Sequence, residues 1–411
     1  MGGGKRDSCG RNVAPGRSAP APAGERRSAS RRTRYPSNTR PLPGEVPCRG
    51  KTGPGGSRHV AARAANSAVE ETKHGCADLE LCRGQAIRHP RFGVYRPERV
   101  VSNAEICETI DSTDEWIQSR SGIKNRRFAN ADESVLAMAI ASGRKALAAS
   151  GIEPEQVGAV VVATSTYPSQ TPQCAAVVAD ALGTGGPAAF DVTAGCAGFC
   201  YALSIASDMV RLGTEDYVLV IGVERMSDST EPTDRSVRFI FGDGAGAVVV
   251  GPSDVTGIGP VVWGSDGSQS QAIRQEPDWL AFADDPSQRP WIKMEGTSVF
   301  RWAAFEMGKV ATQALERAGV AMEDLGAFIP HQANGRINEV IARSIKLPES
   351  VPVSDDIAET GNTSAASIPL AMEEVIRTGK AKPGELALLV GFGAGLSYAG
   401  QVVILPPLAQ D

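Results

Sequence analysis

Apolar runs with strand character alternate with small-residue stretches of helical character along the chain after residue 85. The first series of such runs lies at residues 157–164, 189–192, 217–223 and 247–251, and Ala-rich segments separate them. This alternation of strand and helix predicts a layered α/β fold.

A second series of elements follows the first. Helices are predicted at residues 300–318, 337–345 and 365–378, and strands at residues 327–330, 386–390 and 401–405. The order of elements partly repeats that of the first series, although no sequence period is visible. An internal structural duplication is a hypothesis at this stage.

The first 84 residues differ from the rest in composition and charge. They are rich in Gly, Pro, Ser and Arg, and residues 1–75 hold fifteen Lys and Arg against five Asp and Glu. Such a segment cannot bury enough apolar surface to offset the entropy lost on ordering, so we predict a disordered tail. An organellar transit peptide, an extension from a misassigned start codon and a basic nucleic-acid arm are alternative interpretations.

The rest of the chain is acidic. The whole sequence has a net charge of −5 and residues 1–75 have +10, which leaves −15 for the remainder, a poor match for nucleic acid. No apolar run reaches the length of a transmembrane helix, and the eight cysteines show neither metal-ligand spacing nor a secretory signal beside them. We therefore expect a cytoplasmic protein with reduced thiols and no metal, which binds small molecules or proteins.

Cys196 is the candidate nucleophile. The strand-like run 189–192 leads directly into Thr-Ala-Gly-Cys-Ala-Gly-Phe-Cys-Tyr at residues 193–201. A turn of small residues between a strand and a helix suits a nucleophile elbow, and the N-terminus of the helix stabilises a thiolate. Cys200, one turn deeper, is expected to be a small buried side chain, and a structural role is also the alternative for Cys196.

His331 is the one histidine in the body of the chain, because His59 and His74 lie in the tail and His89 lies at the junction. It follows an apolar strand in Ile-Pro-His-Gln-Ala-Asn-Gly-Arg, residues 329–336. This position predicts a loop at a strand end, where α/β sheets form their sites. A core histidine with satisfied hydrogen bonds is the competing interpretation.

Three further turn-like segments contain glycine. Asn362, in Glu-Thr-Gly-Asn-Thr-Ser-Ala-Ala-Ser at residues 359–367, precedes a helix of small residues and is on its own an ordinary N-cap. Residues 391–395, Gly-Phe-Gly-Ala-Gly, are a predicted turn with amides able to stabilise an oxyanion, but they lack the Lys of a phosphate-binding loop. Residues 241–246 are interpreted as a tight structural turn.

In this order, the features resemble the β-ketoacyl-acyl-carrier-protein synthase III family, the initiating condensing enzymes of bacterial fatty-acid synthesis. The resemblance extends over residues 85–408 and includes Asp-Glu-Trp-Ile at residues 114–117 and Arg-Ser-Gly-Ile at residues 120–123. It implies a thiolase-like, five-layer α/β/α/β/α fold of two similar halves, usually as a homodimer. The halves are expected at residues 85–255, with the nucleophilic Cys, and 256–411, with His and Asn.

The resemblance also implies the chemistry. Cys196 takes an acyl group from acyl-CoA, and backbone N–H groups of Cys196 and Ala394 bind the oxyanion. Malonyl-acyl carrier protein then enters, and His331 and Asn362 stabilise the enolate formed by decarboxylation. Elongating synthases, thiolases and hydroxymethylglutaryl-CoA synthases have His, Cys and Glu, respectively, in place of this Asn, which donates while staying neutral. No metal or redox cofactor is implied.

Binding positions follow from the resemblance alone. The positions expected to bind CoA are Trp116, Arg120, Arg235, Gly296 and Asn334, with the indole stacked on the adenine. A core role for Trp116 and a solvated loop charge at Arg235 are the alternatives.

The acyl pocket and the carrier-protein surface are assigned in the same way. Thr171 falls at a gate that is often Phe in the family, so we predict acceptance of branched or longer primers. Arg301, Arg336 and Arg343 are expected to dock the acidic carrier protein, because a local basic patch on an acidic body steers association. For Arg343, an ordinary helix-surface charge is the alternative.

Two other functions stay open. A starter-unit ketosynthase or acyltransferase of a polyketide or other secondary pathway would use the same three side chains. The third possibility is a catalytically silent body whose basic tail binds nucleic acid or membrane, and the presence of Cys196, His331 and Asn362 argues against it.

Overall fold

Two sheets organise residues 92–407, the part of the chain that this computed structural model describes. The predicted tail of residues 1–84, with its predicted disorder, lies outside the described residues. The strands are β1 (Gly93–Tyr95), β2 (Val100–Ser102), β3 (Asn125–Arg127), β4 (Ala159–Ala163), β5 (Ala188–Val192), β6 (Val218–Arg225), β7 (Asp243–Val250), β8 (Val262–Ser265), β9 (Ile273–Glu276), β10 (Trp291–Met294), β11 (Leu325–Pro330), β12 (Leu386–Gly393) and β13 (Ser397–Ile404).

The helices connect and cover these strands. They are α1 (Asn103–Cys107), α2 (Asp114–Ser121), α3 (Val135–Ser150), α4 (Cys174–Leu182), α5 (Gly198–Arg211), α6 (Trp279–Asp284), α7 (Gly296–Ala318), α8 (Gly335–Ser344), α9 (Ile357–Thr360) and α10 (Ser367–Arg377). Within residues 92–407, no helix is both long and apolar enough to cross a membrane.

The two large sheets share a strand order. The first runs β1-β7-β6-β4-β5, with β4 parallel to β5 and β6 and with β7 antiparallel to its neighbours. The second runs β8-β13-β12-β11, with β11 parallel to β12 and β13 antiparallel to its neighbours. Val353 adds a parallel bridge to Phe328 of β11, in the position that β5 has beside β4. The strand orders thus support the duplication hypothesis, while the proposed boundary between residues 255 and 256 stays a prediction.

Three helical layers enclose the two sheets. Met138 of α3 and the buried face of α4 pack on one side of the first sheet. Leu203 of α5 and Met372 of α10 lie in the core between the sheets. Ile341 of α8 and the buried face of α7 cover the second sheet. The order is α/β/α/β/α, as predicted, and both faces of the central strands are covered, so every residue of β4 is buried.

Two glycine-containing segments differ from the turns predicted for them. Residues 243–246 belong to β7, and the glycines admit α10, because a Cβ atom on Gly246 would lie 2.6 Å from Cβ of Pro369. Strand β12 likewise continues through residues 391–393, and the chain turns only from Ala394. Glycine is used here for close approach of neighbouring elements as much as for turning.

Candidate active site

A cavity of about 1360 Å³ brings together the three side chains that the sequence singled out. Cys196, His331 and Asn362 all line it, together with Phe392 and Ala394. The three come from segments far apart in the chain: Cys196 follows β5, His331 follows β11, and Asn362 follows α9 and forms a parallel bridge with Phe241. Their convergence is the central geometric result.

Cys196 lies in a short 3-10 helix, Gly195–Ala197, between β5 and α5. Gly195 has a φ of +52°, a backbone conformation that favours glycine. The opposite wall is Gly393, where an added Cβ atom would lie 2.5 Å from the Cys196 amide nitrogen and 2.9 Å from its Cβ. The predicted elbow is therefore present, and it is held by backbone packed against backbone.

Ala394 is adjacent to this elbow. An ideal Cβ atom placed on Gly195 would lie 2.9 Å from the Ala394 amide nitrogen, so no side chain separates that amide from the nucleophile's turn. The methyl group of Ala394 leaves its backbone N–H in place. This arrangement is compatible with the predicted oxyanion site at the amides of Cys196 and Ala394.

The environment of the Cys196 thiol acts on its pKa in two directions. Burial raises the pKa of the thiol to about 12, and a hydrogen bond with Ser364 opposes that shift in part. Desolvation of the charged form therefore works against the thiolate stabilisation expected from the helix N-terminus. Cys200 is fully buried, as predicted.

His331 is buried at the end of β11 with 1% of its surface exposed. Its Nδ1 lies 2.6 Å from Oγ of Ser367, and that Oγ also accepts a bond from the Gln332 N–H. The Ser367 hydroxyl is then free to donate to Nδ1, which places the imidazole proton on Nε2. Burial lowers the pKa of His331 to about 3. The side chain is thus a neutral hydrogen-bond donor at the cavity.

Asn362 is fixed by its own backbone and by the turn that follows it. Its N–H donates to the Ile240 carbonyl at 2.9 Å, and its Oδ1 accepts from the Ser364 N–H at 2.8 Å. Because Oδ1 is occupied, Nδ2 is the atom through which Asn362 can donate to a ligand. The side-chain oxygen makes the turn contact expected of a cap residue, while the side-chain nitrogen is available to a ligand. The cap and the catalytic interpretations of Asn362 are therefore compatible.

Trp116 and Arg120 line the outer part of the cavity. Trp116 is half-buried and packs edge-on against Phe239, with ring centroids 5.3 Å apart. The guanidinium of Arg235 lies 4.6 Å from the Trp116 ring centroid and that of Arg120 lies 6.0 Å away. An aromatic face flanked by two cations suits a nucleotide with phosphates. Trp116, Arg120 and Arg235 thus lie together. Neither alternative, a core role for Trp116 or a solvated loop charge at Arg235, requires this grouping.

Gly296 and Asn334 line the same cavity. Gly296 begins α7, and an added Cβ atom would meet no atom within 4 Å, so packing does not demand glycine there. Asn334 caps α8 through its Oδ1 and donates from Nδ2 to the Arg120 carbonyl at 3.1 Å. Both predicted CoA positions therefore lie beside the cavity, although Asn334 already uses its side-chain amide in the protein.

The cavity lining also includes the apolar side chains Val135, Leu136 and Phe190, together with Tyr167 and Gln170. Thr171, the predicted gate, is exposed and does not line the cavity, whereas Gln170 and Gln173 on either side of it do. The apolar part of the lining suits an acyl chain, and the role assigned to Thr171 stays a prediction.

The three predicted docking arginines are exposed on α7 and α8. Arg336 is the most constrained, because its Nε donates to the Ser119 carbonyl at 3.1 Å and it pairs with Glu339 at 2.6 Å. Arg301 and Arg343 lie on the same two packed helices. Arg336 therefore also braces α2 against α8, a structural role that the sequence did not predict.

Sequence analysis missed the residues that hold the three reactive side chains. Ser367 contacts His331, and Ser364 contacts both Cys196 and Asn362. Gln332 is buried, donates to the Pro330 carbonyl and accepts from the Ile357 N–H. The sequence signal for these supporting residues was their position: Gln332 is next to His331, and Ser364 is two residues after Asn362. Among residues 92–407, no group of His, Cys, Asp and Glu is arranged to hold a metal ion.

Fold and site together define a condensing enzyme of the thiolase-like class. Models of the 3-oxoacyl-[acyl-carrier-protein] synthase III family match residues 190–267, and models of its C-terminal region match residues 315–405. The chain is 58% identical over 316 residues to the mycobacterial β-ketoacyl-[acyl-carrier-protein] synthase III of Mycobacterium avium, which covers 77% of this chain and 94% of that protein. It is 58% identical over 315 residues to the Streptomyces glaucescens β-ketoacyl-[acyl-carrier-protein] synthase III, which covers 76% and 95%.

Solved structures agree with these relatives. The priming β-ketosynthase of the R1128 polyketide pathway has a TM-score of 0.75 and 49% identity, over 78% of this chain and 97% of that one. The 3-oxoacyl-[acyl-carrier-protein] synthase III of Aquifex aeolicus has a TM-score of 0.72 and 36% identity, over 78% and 99%. The chain belongs to the β-ketoacyl-acyl-carrier-protein synthase III family, a family of acyl-transferring condensing enzymes.

Proposed function

We propose that the protein condenses an acyl-CoA primer with malonyl-acyl carrier protein to give 3-oxoacyl-acyl carrier protein, the step that initiates fatty-acid synthesis. The observation that carries this proposal is the convergence of a thiol, a neutral imidazole and a side-chain amide in one cavity. The backbone amide of Ala394 beside the thiol adds the oxyanion donor that acyl transfer requires.

In the first half-reaction, Cys196 attacks the thioester carbonyl of acyl-CoA. Negative charge develops on the carbonyl oxygen, and the amides of Cys196 and Ala394 are the donors assigned to it. CoA leaves, and the acyl group stays on Sγ. The apolar part of the cavity lining, which includes Val135, Leu136 and Phe190, suits the acyl chain.

In the second half-reaction, malonyl-acyl carrier protein enters by the same route. Nε2 of His331 and Nδ2 of Asn362 donate to the thioester oxygen, so that the enolate formed on loss of CO₂ is stabilised. The carbanion then attacks the acyl group on Cys196. A neutral imidazole suits this step, because burial lowers the pKa of His331 to about 3 and the ring therefore acts as a donor of fixed charge.

The outer cavity and its rim suit the two carriers. The cations Arg120 and Arg235 around Trp116 suit the adenine and phosphates of CoA. Arg301 and Arg343, exposed on α7 and α8, suit an acidic carrier protein. Beyond these thioester substrates, the reaction needs no cofactor or metal. A reduced Cys196 and two thioester carriers fit the cytoplasm.

A homodimer is supported by an open sheet edge. β5 ends the first sheet and pairs only with β4 among the described strands. Tyr201 lies on α5, the helix that follows β5, and its ring lies 5.1 Å from the ring of Trp263, which is 43% exposed. Apolar rings therefore lie at the surface near this segment. Sheet edges of this kind are usually covered in native proteins, and a second copy of the chain would cover this one.

A second candidate function is the loading of a starter unit in a polyketide pathway. The structural likeness to a priming β-ketosynthase, at 49% identity, favours this candidate specifically. The two functions share Cys196, His331 and Asn362 and differ in the carrier protein and the primer. Condensation rates with malonyl groups on a fatty-acid carrier and on a polyketide carrier, compared in one assay, distinguish them.

The primary test is acylation. The full chain is incubated with isotope-labelled acyl-CoA, digested and mapped by mass spectrometry, with Cys196→Ala as the control. We expect label on the peptide that contains Cys196 and none in the variant. Label on Cys174 or Cys200 instead, or label that persists in Cys196→Ala, would overturn the assignment.

A further inference from the structure

A buried carboxylate lies near the nucleophile without lining the substrate cavity. Glu224, on β6, has none of its surface exposed. Its Oε2 accepts bonds from the Thr166 hydroxyl at 2.6 Å and from the Ser165 N–H at 3.0 Å. Its Oε1 accepts a bond from the Ser364 hydroxyl at 3.0 Å. The mechanism described above assigns this carboxylate no task.

Ser364 joins this carboxylate to the reactive thiol. Its side chain hydrogen-bonds the Cys196 thiol as well as Glu224. Ser364 also has a φ of +50°, a conformation that costs free energy for any residue with a side chain. Such strain is retained where the surrounding structure needs that side chain in that place. The three groups form one continuous line from Sγ to the carboxylate.

We propose that Ser364 and Glu224 form a proton relay that activates Cys196. This inference deepens the proposed function, because it rests on Cys196 as the acyl acceptor. Ser364 contacts the reacting sulfur, and Glu224 is a positioning residue that acts through Ser364. A relay of this kind provides a proton acceptor for a half-buried thiol that must act as a nucleophile.

The proton balance of acylation is closed by the relay. As the Sγ–C bond forms, the thiol proton passes to the Ser364 oxygen, and the Ser364 proton passes to Oε1 of Glu224. The bond between the carbonyl carbon and the CoA sulfur then breaks with its electron pair on that sulfur. Before this bond breaks, the CoA sulfur and Sγ are bonded to the same carbon and therefore lie close together. The proton on Glu224 passes back through Ser364 to the CoA sulfur. CoA leaves as the thiol, and Glu224 is again a carboxylate.

Other titratable groups lie around these residues. His331 and Asp191 line the same cavity as Cys196, and Cys174 on α4 lies near both Asp191 and Glu224. The carboxylate of Asp191 accepts the N–H groups of Cys174 and Ala175 at 2.8 Å each, and burial raises the pKa of the Cys174 thiol to about 12. Arg225 turns to Asp228, with 3.1 Å between Nε and the carboxylate.

Alkylation of Cys196 by iodoacetamide tests the relay without any substrate. The rate is measured on the full chain from pH 6 to pH 10, with mass mapping of the label, for the native protein and Glu224→Gln. The relay predicts that Glu224→Gln slows alkylation at pH 7 at least about tenfold and moves the pH profile upward, because the proton acceptor is lost. A carboxylate acting only through its charge predicts faster alkylation, because the repulsion of the thiolate is removed.

Ser364→Gly provides the second arm. Glycine accepts the φ of +50°, so the backbone is retained while the hydroxyl is lost. We expect the same slow alkylation as in Glu224→Gln, whereas an unchanged rate would contradict the relay. Ser150→Ala, which removes a hydroxyl bonded to the Leu147 carbonyl, is the matched control and should alkylate at the native rate. Failure of Cys196 to be acylated by acyl-CoA, with alkylation as predicted, would sink the proposed function but not the relay.

Discussion

The hydroxyl oxygen of Ser367 lies 2.6 Å from Nδ1 of His331, on the side of the ring that faces α10. This contact fixes which nitrogen carries the proton, and Ser367→Ala removes it. We expect condensation to slow roughly 10- to 100-fold, the range found for partners that orient functional imidazoles, while acylation of Cys196 keeps its rate. Single-turnover acylation and steady-state condensation, measured on the same samples, separate the two effects.

The matched control for this prediction is Ser344→Ala, which removes a hydroxyl that donates to the Ile341 carbonyl on α8. It should leave both half-reactions at the native rate. Equal losses in acylation and condensation for Ser367→Ala would show that the serine supports the fold rather than the tautomer.

Gly393→Ala tests the contact between β12 and the nucleophile's turn. The φ at Gly393 is −174°, which any residue adopts, so the expected effect is purely steric. An added Cβ atom would lie 2.5 Å from the Cys196 amide nitrogen, and backbone on both sides leaves no flexible atom to yield. We expect a loss of about 1–3 kcal/mol in the free energy of unfolding, with acylation falling more than the thermal stability alone explains.

Gly267→Ala is the control for that variant, because its Cβ atom would meet nothing within 4 Å. Urea unfolding of both variants gives the stability change, and labelled acyl-CoA gives the acylation rate. A native acylation rate in Gly393→Ala would contradict the proposed tight contact.

The fold was predictable because its strands and helices are strongly patterned. The buried run around residues 159–163 and the helix at residues 367–377 were both identified within a few residues of their observed ends. The glycines of residues 243–246 were misassigned to a turn, because a sequence does not show that α10 will pack against them. Glycine marks close approach as well as turning, and only the tertiary structure separates the two.

The reactive residues were predictable, whereas the residues that set their chemistry were not. Cys196 and His331 each stood in a distinctive context after a strand, and Asn362 stood after a glycine and before a helix of small residues. Glu224 looked like any acidic residue near the end of an apolar run, and only its burial against Ser364 distinguishes it. The desolvation that raises the pKa of the Cys196 thiol was not predictable for the same reason, since it depends on neighbours that are distant in sequence.

Asn362→Asp keeps the shape of the side chain and replaces the Nδ2 donor by an anionic oxygen. A carboxylate repels the enolate that forms after decarboxylation, so we expect condensation to fall at least about a hundredfold, while acylation of Cys196 is retained. Decarboxylation of malonyl-acyl carrier protein, followed by CO₂ release, measures the affected step directly. Asn130→Asp, at an exposed position outside the cavity lining, is the matched control. Retained CO₂ release in Asn362→Asp would remove Asn362 from the mechanism.

Burial of His331 predicts a stability loss in acid. The native protein keeps this imidazole neutral down to about pH 3, because burial lowers its pKa from 6.5. The unfolded chain takes up a proton below about pH 6.5, so it binds more protons in this window and the free energy of unfolding falls as the pH drops. The contribution is on the order of a few kcal/mol between pH 6.5 and pH 3.

His331→Gln isolates that contribution. Urea midpoints measured from pH 7 to pH 4 should fall more steeply for the native protein than for the variant, because the variant has no imidazole at this position. Parallel slopes would mean that burial does not lower the pKa of His331, because the buried carboxyl groups Asp243 and Asp356, the pKa values of which are raised by burial, are present in both proteins.

Primer choice is the last prediction, and it depends on the apolar part of the cavity lining, which includes Val135, Leu136 and Phe190. Thr171, the gate expected from the family resemblance, is exposed and lies beside the lining residue Gln170. We expect turnover with isobutyryl-CoA and with longer acyl-CoA primers as well as with acetyl-CoA. A gate at this position predicts that Thr171→Phe narrows the range and lowers kcat/KM for the longest primers most, whereas Thr171→Ser keeps the native range. An unchanged range in Thr171→Phe would remove Thr171 from the acyl pocket, and strict preference for acetyl-CoA in the native protein would contradict the predicted primer range.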